Sequence, residues 1–247
     1  MSPLVSVVIP VLCETELLGE ALYGLSLSTK IEIIVVDGCM NDKPEAGMCA
    51  LRKEFPSVRW VESIVGRARQ MNAGAAVASG KWLLFLHADS RLHRNWIREL
   101  ERIEYLNGVV GGSYRFVLNA SERSARFIEW GVRQRVRWFG LAYGDQALFV
   151  KNEIFQALGG YRDLPVMEDI DLIRRLRRAG RLVHSSLPVL VSPRRWRRDG
   201  WWRRTVENIF LAALFYLGVS PHWLACRYYG TAAISAYDRA SGTKSFS

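Results

Sequence analysis

The chain has 247 residues, 49% of them hydrophobic and 23% charged, which is ordinary for a globular protein and long enough for one large domain or a domain with an appendage. Its net charge of +10 is clustered at Arg174-Arg175, Arg177-Arg178, Arg194-Arg195, Arg197-Arg198 and Arg203-Arg204, groups that suit nucleic acid, anionic lipid or phosphorylated substrates, or that simply solvate helix faces. Cys13, Cys39, Cys49 and Cys226 form no C-x-x-C pair, so neither a zinc site nor a disulfide framework is indicated and a reducing cytoplasm is the simplest compartment.

Pro3 to Leu12 reads as a buried strand, and no signal-peptide pattern precedes it. CETE follows, so the G-x-G-x-x-G dinucleotide fingerprint is absent where it would be needed. Glu14 to Leu27 carries Leu17, Leu18, Ala21, Leu22 and Leu25 at helical spacing. Ile31 to Asp37 is the next strand, which leaves Asp37 at a strand end before Gly38. Asn41-Asp42 and Pro44 start a helix running to about Glu54. Val58 to Glu62 gives a short strand, and Gly66 to Ser79 a helix of small residues that can lie close to a sheet. Arg67 and Arg69 sit near that helix's N-terminus, where backbone N–H groups attract phosphate; a surface salt bridge is the other reading.

Trp82-Leu83-Leu84-Phe85-Leu86 then runs into His87-Ala88-Asp89-Ser90. Such an apolar run is a strand buried on both faces, and ligands of open α/β sheets sit beyond the strand ends. Asp89 can there hold a divalent cation shared with phosphate oxygens, or else cap the helix starting near Arg94 or sit in a turn. The first ninety residues alternate strand and helix, which predicts an α/β fold with a mostly parallel sheet.

After the helix from Arg94 to Glu104, Gly111-Gly112 leads into a strand at Ser113 to Val117. Ser121 to Phe139 is a basic amphipathic helix with Trp130 and Trp138. It can lie on a membrane, cover the active site, or pack on its own domain. A short strand at Ala147 to Val150 precedes a helix capped by Asn152 and ended by Gly159-Gly160. Tyr161 to Met167 is a loop. Glu168-Asp169 open a helix that Gly180 closes, and two acids there also serve as simple caps for the helix dipole. Leu182 to Val191 gives a last strand. Ile209 to Val219 is apolar but far shorter than the roughly 20 residues of a spanning helix, so it reads as a packing or interfacial helix. The last ten or so residues are polar and expected to be loose.

Together and in this order, VSVVIPVLCETE, IIVVDGCMND, GRARQMNAGAAVASG, LLFLHADS, YGDQALFV, GGYRDLPVMEDIDLIRRL and SPRRW resemble the family 2 glycosyltransferases over roughly residues 4 to 200. The resemblance extends to a bacterial subgroup bearing LHAD and MED, labelled arsenosugar-biosynthesis glycosyltransferases. It implies the GT-A fold, a glycosyltransferase domain over 1–200 (a nucleotide-sugar half at 1–110, an acceptor half at 111–200) and a helical extension at 201–247. It also implies inverting transfer of a sugar from a nucleotide-sugar donor, a UDP-sugar, to a hydroxyl acceptor, with Mn2+ or Mg2+ as cofactor and without nucleic acid. The tryptophans and the apolar C-terminal helix leave a lipid or carotenoid-like acceptor and a small soluble one equally open, in the cytoplasm or at the inner face of the membrane. Pro10, Val11 and Glu14 would line the nucleotide pocket; Asp37 would meet base or ribose; Arg67 would hold base or diphosphate. His87-Ala88-Asp89 takes the place of D-x-D, with Asp89 on the metal. Asp169, beside Glu168, would be the general base, and Arg195-Trp196 would stand near the diphosphate. The chain departs from the family pattern at His87, which replaces an acid, at Cys13, which replaces an Asn, and at Cys39-Met40, which replace Gly-Ser. Two rival readings are a sugar nucleotidyltransferase, which would need a glycine-rich, arginine-bearing loop after the first strand, and a non-catalytic basic module binding RNA or membrane.

Overall fold

The structure is a computed structural model and describes residues 2–12, 15–25, 30–39, 46–231, 234 and 237–238. The expectations for Glu14, for the Asn41-Asp42-Pro44 helix start and for the loose last residues fall outside this set.

The core is a sheet built on β1 (Val5–Val11) and β4 (Trp82–Phe85), which pair in parallel. Both are runs of apolar residues because both faces of each are covered. Alternation then divides their side chains. Val5, Val7, Ile9, Trp82 and Leu84 face one layer, formed by α1 (Thr15–Leu25), α2 (Ala46–Glu54) and α4 (Trp96–Glu104). Val8, Leu83 and Phe85 face the other, formed by α3 (Arg67–Val77) and α7 (Glu168–Ala179). β2 (Ile31–Asp37) and β3 (Arg59–Glu62) extend the parallel half.

β5 (Ser90–Leu92), β6 (Val109–Leu118), β7 (Phe149–Lys151) and β8 (Arg181–Val191) complete an eight-stranded order β3-β2-β1-β4-β7-β6-β8-β5 among the described residues. β6 and β8 are parallel; β7 and β5 run against their neighbours. In that order β5 lies four strand spacings from β4, about 19 Å if the sheet were flat. The link from Phe85 to Ser90 reaches at most ~17 Å fully extended and is bent by a turn, Ser90 N to His87 O at 3.0 Å. The sheet therefore curls, and His87, Ala88 and Asp89 bridge its inner edge.

Four expectations need correction. The Asp89 side chain does not cap the next helix: α4 starts at Trp96 after Asn95, with no side-chain cap. Asn152 does not cap α6 (Asn152–Ala157); it is that helix's first residue, and its amide donates to Gly80 O at 3.0 Å. The strand near Ala147 starts only at Phe149, because Ala147 has φ 46°. Cys39 is disulfide-bonded, while Cys49 and Cys226 are free thiols, so cysteine usage gives no support to a reducing compartment.

Beyond the sheet lie α5 (Arg123–Phe139), α8 (Arg194–Asp199), α9 (Trp201–Tyr216) and α10 (Pro221–Tyr229). The apolar Ile209 stretch is the second half of α9, whose start at Trp201 its charged first turns concealed. Among the described residues no helix is long and apolar enough to cross a membrane.

Candidate active site

A cavity of about 540 Å³ opens where the sheet curls. Arg67, His87, Asp89, Asp145, Asp169 and Arg195 line it, brought from α3, the β4–β5 link, the turn before β7, the start of α7 and α8. Trp196 lines it too, buried against Phe116 with ring centroids 6.0 Å apart.

Asp169 is held by the backbone. Gly144 N–H donates to its Oδ2 at 2.6 Å and Ile170 N–H to its Oδ1 at 2.8 Å. A Cβ on Gly144 would stand 3.1 Å from Asp169 Oδ2 and 3.5 Å from His87 Nε2, so a glycine lets turn, carboxylate and imidazole meet. The turn itself, a short 3-10 helix at Gly144–Gln146, is pinned by buried Gln146: Tyr143 N–H donates to its Oε1 at 3.2 Å, and its Nε2 donates to Tyr114 O at 3.3 Å.

Glu168 does not face the cavity. It is buried and ion-paired with Arg67, which does. Burial opposes the Arg67 charge, but Glu168, with Tyr229 and Asp169 adding, more than offsets it and the guanidinium pKa rises. Two non-glycine residues among those described have left-handed backbone, Met167 (φ 64°) and Ala147 (φ 46°). They flank Glu168-Asp169 and Asp145 respectively. Such strain costs about 1–3 kcal/mol per residue and persists where the surroundings fix the chain, often at functional sites.

Asp89 Oδ2 lies 3.5 Å from Arg194 Nε, and its carbonyl accepts Ser192 N–H at 3.1 Å, which ties the β4–β5 link to the approach of α8. The pKa of His87 falls to about 4, first through burial and then through the Arg67 charge, with Asp89 pulling the other way. The imidazole is thus neutral at pH 7 and able to ligate. Among the described residues no three His, Cys, Asp or Glu side chains gather as a metal cluster. Magnesium and manganese commonly bind through one or two carboxylates and complete their shells with water and substrate phosphate. Asp89 with neutral His87 fits a cation shared with a diphosphate, not a cage made by protein alone.

Pro10, Val11 and Asp37 sit apart from this cavity, at the carboxyl ends of β1 and β2, where β1 and β2 pair in register. Asp37 Oδ1 accepts Cys39 N–H at 2.9 Å and shapes the turn there. Gln70, absent from the sequence expectations, joins the two strand ends: its buried amide donates to Val11 O at 2.7 Å and Val36 O at 3.0 Å. Gly38 makes room for it, since a Cβ there would lie 2.8 Å from the amide.

Asp145 is the other residue the sequence reading passed over. It lines the cavity, and its Oδ1 is buried without a hydrogen-bond partner among the described residues. Burial pushes its pKa up to about 6, with Arg135 opposing and Asp169 adding. The available signal was YGDQ ahead of an apolar run, where an acid sits between a glycine and an anchoring glutamine.

Many clustered arginines have partners. Arg175 pairs with Asp171 at 2.8 Å, Arg197 with Glu122 at 2.9 Å and Arg198 with Asp199 at 2.7 Å. This leaves a smaller basic surface than the sequence clusters imply.

Residues 6–150 match the sequence profile of Glycosyl transferase family 2. None of the curated proteins matches the chain. Among solved structures, the mannosyltransferase PcManGT from Pyrobaculum calidifontis, in complex with GDP-Man and Mn2+, aligns with a TM-score of 0.63 at 17% identity, covering 100% of this chain and 77% of that one. S. aureus TarS 1-349, in complex with UDP-GlcNAc, aligns with a TM-score of 0.55 at 13% identity, over 76% of this chain and 58% of that one. At these identities the likeness concerns the fold, which is GT-A. The profile spans more than half of the sequence, and the chain belongs to Glycosyl transferase family 2.

Proposed function

We propose that the protein is an inverting glycosyltransferase that moves a sugar from a nucleoside diphosphate, a UDP-sugar, to an acceptor hydroxyl, with Asp169 as general base. One observation carries this reading: the Asp169 carboxylate, fixed by two backbone N–H groups, faces the same cavity as Arg67, Asp89 and Arg195. A carboxylate has about four acceptor sites, so the backbone bonds leave capacity for a hydroxyl proton. The acceptor oxygen bonds to the anomeric carbon and its proton passes to Asp169. The bond from that carbon to the diphosphate breaks, and the nucleoside diphosphate leaves. Arg67, kept charged by Glu168, and Arg195 stabilise the leaving charge. Asp89 and His87 are the residues that would hold Mn2+ or Mg2+, which supplies further positive charge to the diphosphate when bound. The LHAD and MED motifs support membership of the bacterial arsenosugar-labelled subgroup.

Asp169→Asn tests the base. Transfer is expected to fall by about 10² to 10⁴-fold, with nucleoside diphosphate binding, read by thermal shift, unchanged. Retained turnover would remove Asp169 from this role. The anomeric configuration of the product, read by NMR, is expected to be opposite to that of the donor.

A further inference from the structure

The charged groups around Asp169 occupy one part of the cavity, and Arg135 and Arg204 reach it from the helices beside them. Its walls are two helices, with Phe127, Ile128 and Val132 from α5 and Ile209, Ala212 and Ala213 from α9. Among the polar groups on these walls, Thr205, Arg135 and Arg204 have partners inside the protein, while Asn208 and Tyr216 of α9 also line the cavity. Thr205 Oγ1 accepts Trp196 Nε1–H at 3.3 Å and donates to Trp201 O at 2.8 Å. Arg135 donates to Leu141 O at 2.9 Å and to Gln146 Oε1 at 3.1 Å. Arg204 is engaged by Tyr228 and Asp199. A hydroxylated, water-soluble molecule placed between these helices would lose hydration and find little in return. A hydrocarbon chain would be favoured there.

The throat also opens onto an apolar surface. Phe127 and Ile209 line the cavity and are themselves 55% and 64% exposed. Phe127 packs its ring against Trp130 at 5.7 Å and Trp202 at 5.3 Å, and both tryptophans are more than half exposed. Phe210 on α9 and Trp138 on α5 are exposed as well. Arg123, Arg133 and Arg137 on α5 and Arg203 on α9 are exposed on the same helices, and Arg137 lies over the Trp138 ring at 5.7 Å. Exposed aromatic rings interleaved with arginines on helices suit the interface of an anionic bilayer.

We propose that the acceptor is a membrane lipid: its hydroxylated head reaches Asp169, its hydrocarbon part occupies the throat between α5 and α9, and the Trp130–Trp202 face rests on anionic headgroups. The inference rests on the transferase reading and names the acceptor class for that site.

The test uses the full chain and three readouts. Dansylamino-undecanoic acid reports the throat by fluorescence. Sedimentation with phosphatidylcholine vesicles, with and without phosphatidylglycerol, reports the face. Thermal shift with UDP and Mn2+ reports the donor site. The fatty probe is expected to bind the parent, and Ala213→Trp, at an exposed position on the throat wall, to weaken it about tenfold. Ile209→Gln gives the same direction should the larger side chain prevent folding. Phosphatidylglycerol is expected to strengthen vesicle binding about tenfold, and Trp130→Glu with Trp202→Glu to abolish that gain. The UDP shift is expected to stay at the parental value in every variant. Absence of probe binding, equal binding by the throat variants, or vesicle binding indifferent to the tryptophans would overturn the inference. So would a dimer that the double variant dissolves, which would make a second copy the occupant. Loss of the UDP shift in the parent would instead overturn the transferase reading.

Discussion

Asp145 illustrates how one side chain acquires its properties from its surroundings. Its pKa of about 6 lies above the ordinary 3.8 because burial disfavours the charge. Between those two values the folded chain binds more proton than the unfolded chain, so this group makes stability fall as pH rises from about 4 to 6 and stay lower above that. Asp145→Asn removes the titration. Its melting-temperature advantage over the parent is expected to be larger at about pH 7.5 than at about pH 4, as read by calorimetry; an equal difference at both would exclude Asp145 as the source. The identity of Asp169, Arg67, Asp89 and Arg195 as cavity residues was legible because each sits at an element end in a recognisable motif. Asp145 and Gln70 were not: YGDQ sets Asp145 in a turn but cannot show its missing partner, and the two strand-end carbonyls that mark Gln70 have no local signature.

The secondary-structure elements follow periodicity closely where burial is uniform. Leu18, Leu22 and Leu25 face the sheet from α1 as their helical spacing requires. Helix α3 shows the same logic in its small residues: a Cβ on Gly74 would come 2.5 Å from Val8 Cγ1 and 2.9 Å from Val36 Cγ2. Both valines are β-branched, stiff and buried, so neither can swing aside. Gly74→Ala is therefore expected to destabilise the protein by about 1–3 kcal/mol in urea unfolding, although alanine favours an isolated helix. A gain in stability would mean that α3 can retreat from the sheet. Elements whose pattern was mixed were the ones misread. β5 has only three residues, two of them polar, and exists because β8 offers it an edge. The first turns of α9 are charged and concealed the helix start.

At the scale of the molecule, the curled sheet converts separated motifs into one cleft, and its occupant must couple to folding. A nucleoside diphosphate at about 100 times its dissociation constant stabilises the native state by ~2.7 kcal/mol, a rise of roughly 5–10 °C for a chain of this size. UDP with Mn2+ is expected to give a shift of that order, and a chelator to reduce it, because a cation held by Asp89 and His87, as proposed, would need phosphate oxygens to complete its shell. A shift indifferent to chelator would assign the diphosphate charge to Arg67 and Arg195 alone. The helices after residue 200 are part of the same cleft, since α9 supplies one of its walls.

The family followed from the resemblance of several motifs in order; local patterning determined the strands and most helices, because burial on one face or two imprints a period on the sequence. It also set out the acids and arginines at element ends. The tertiary structure alone decided which of them share a cavity. Asp89 and Asp169 line one cavity because the short β4–β5 link forces the sheet to curl, and α5 and α9 become the walls of one throat because Ile128 and Val132 turn inward while the tryptophans beside them stay outside. Distances between residues far apart in the chain depend on how layers close over one another, and no local period encodes that.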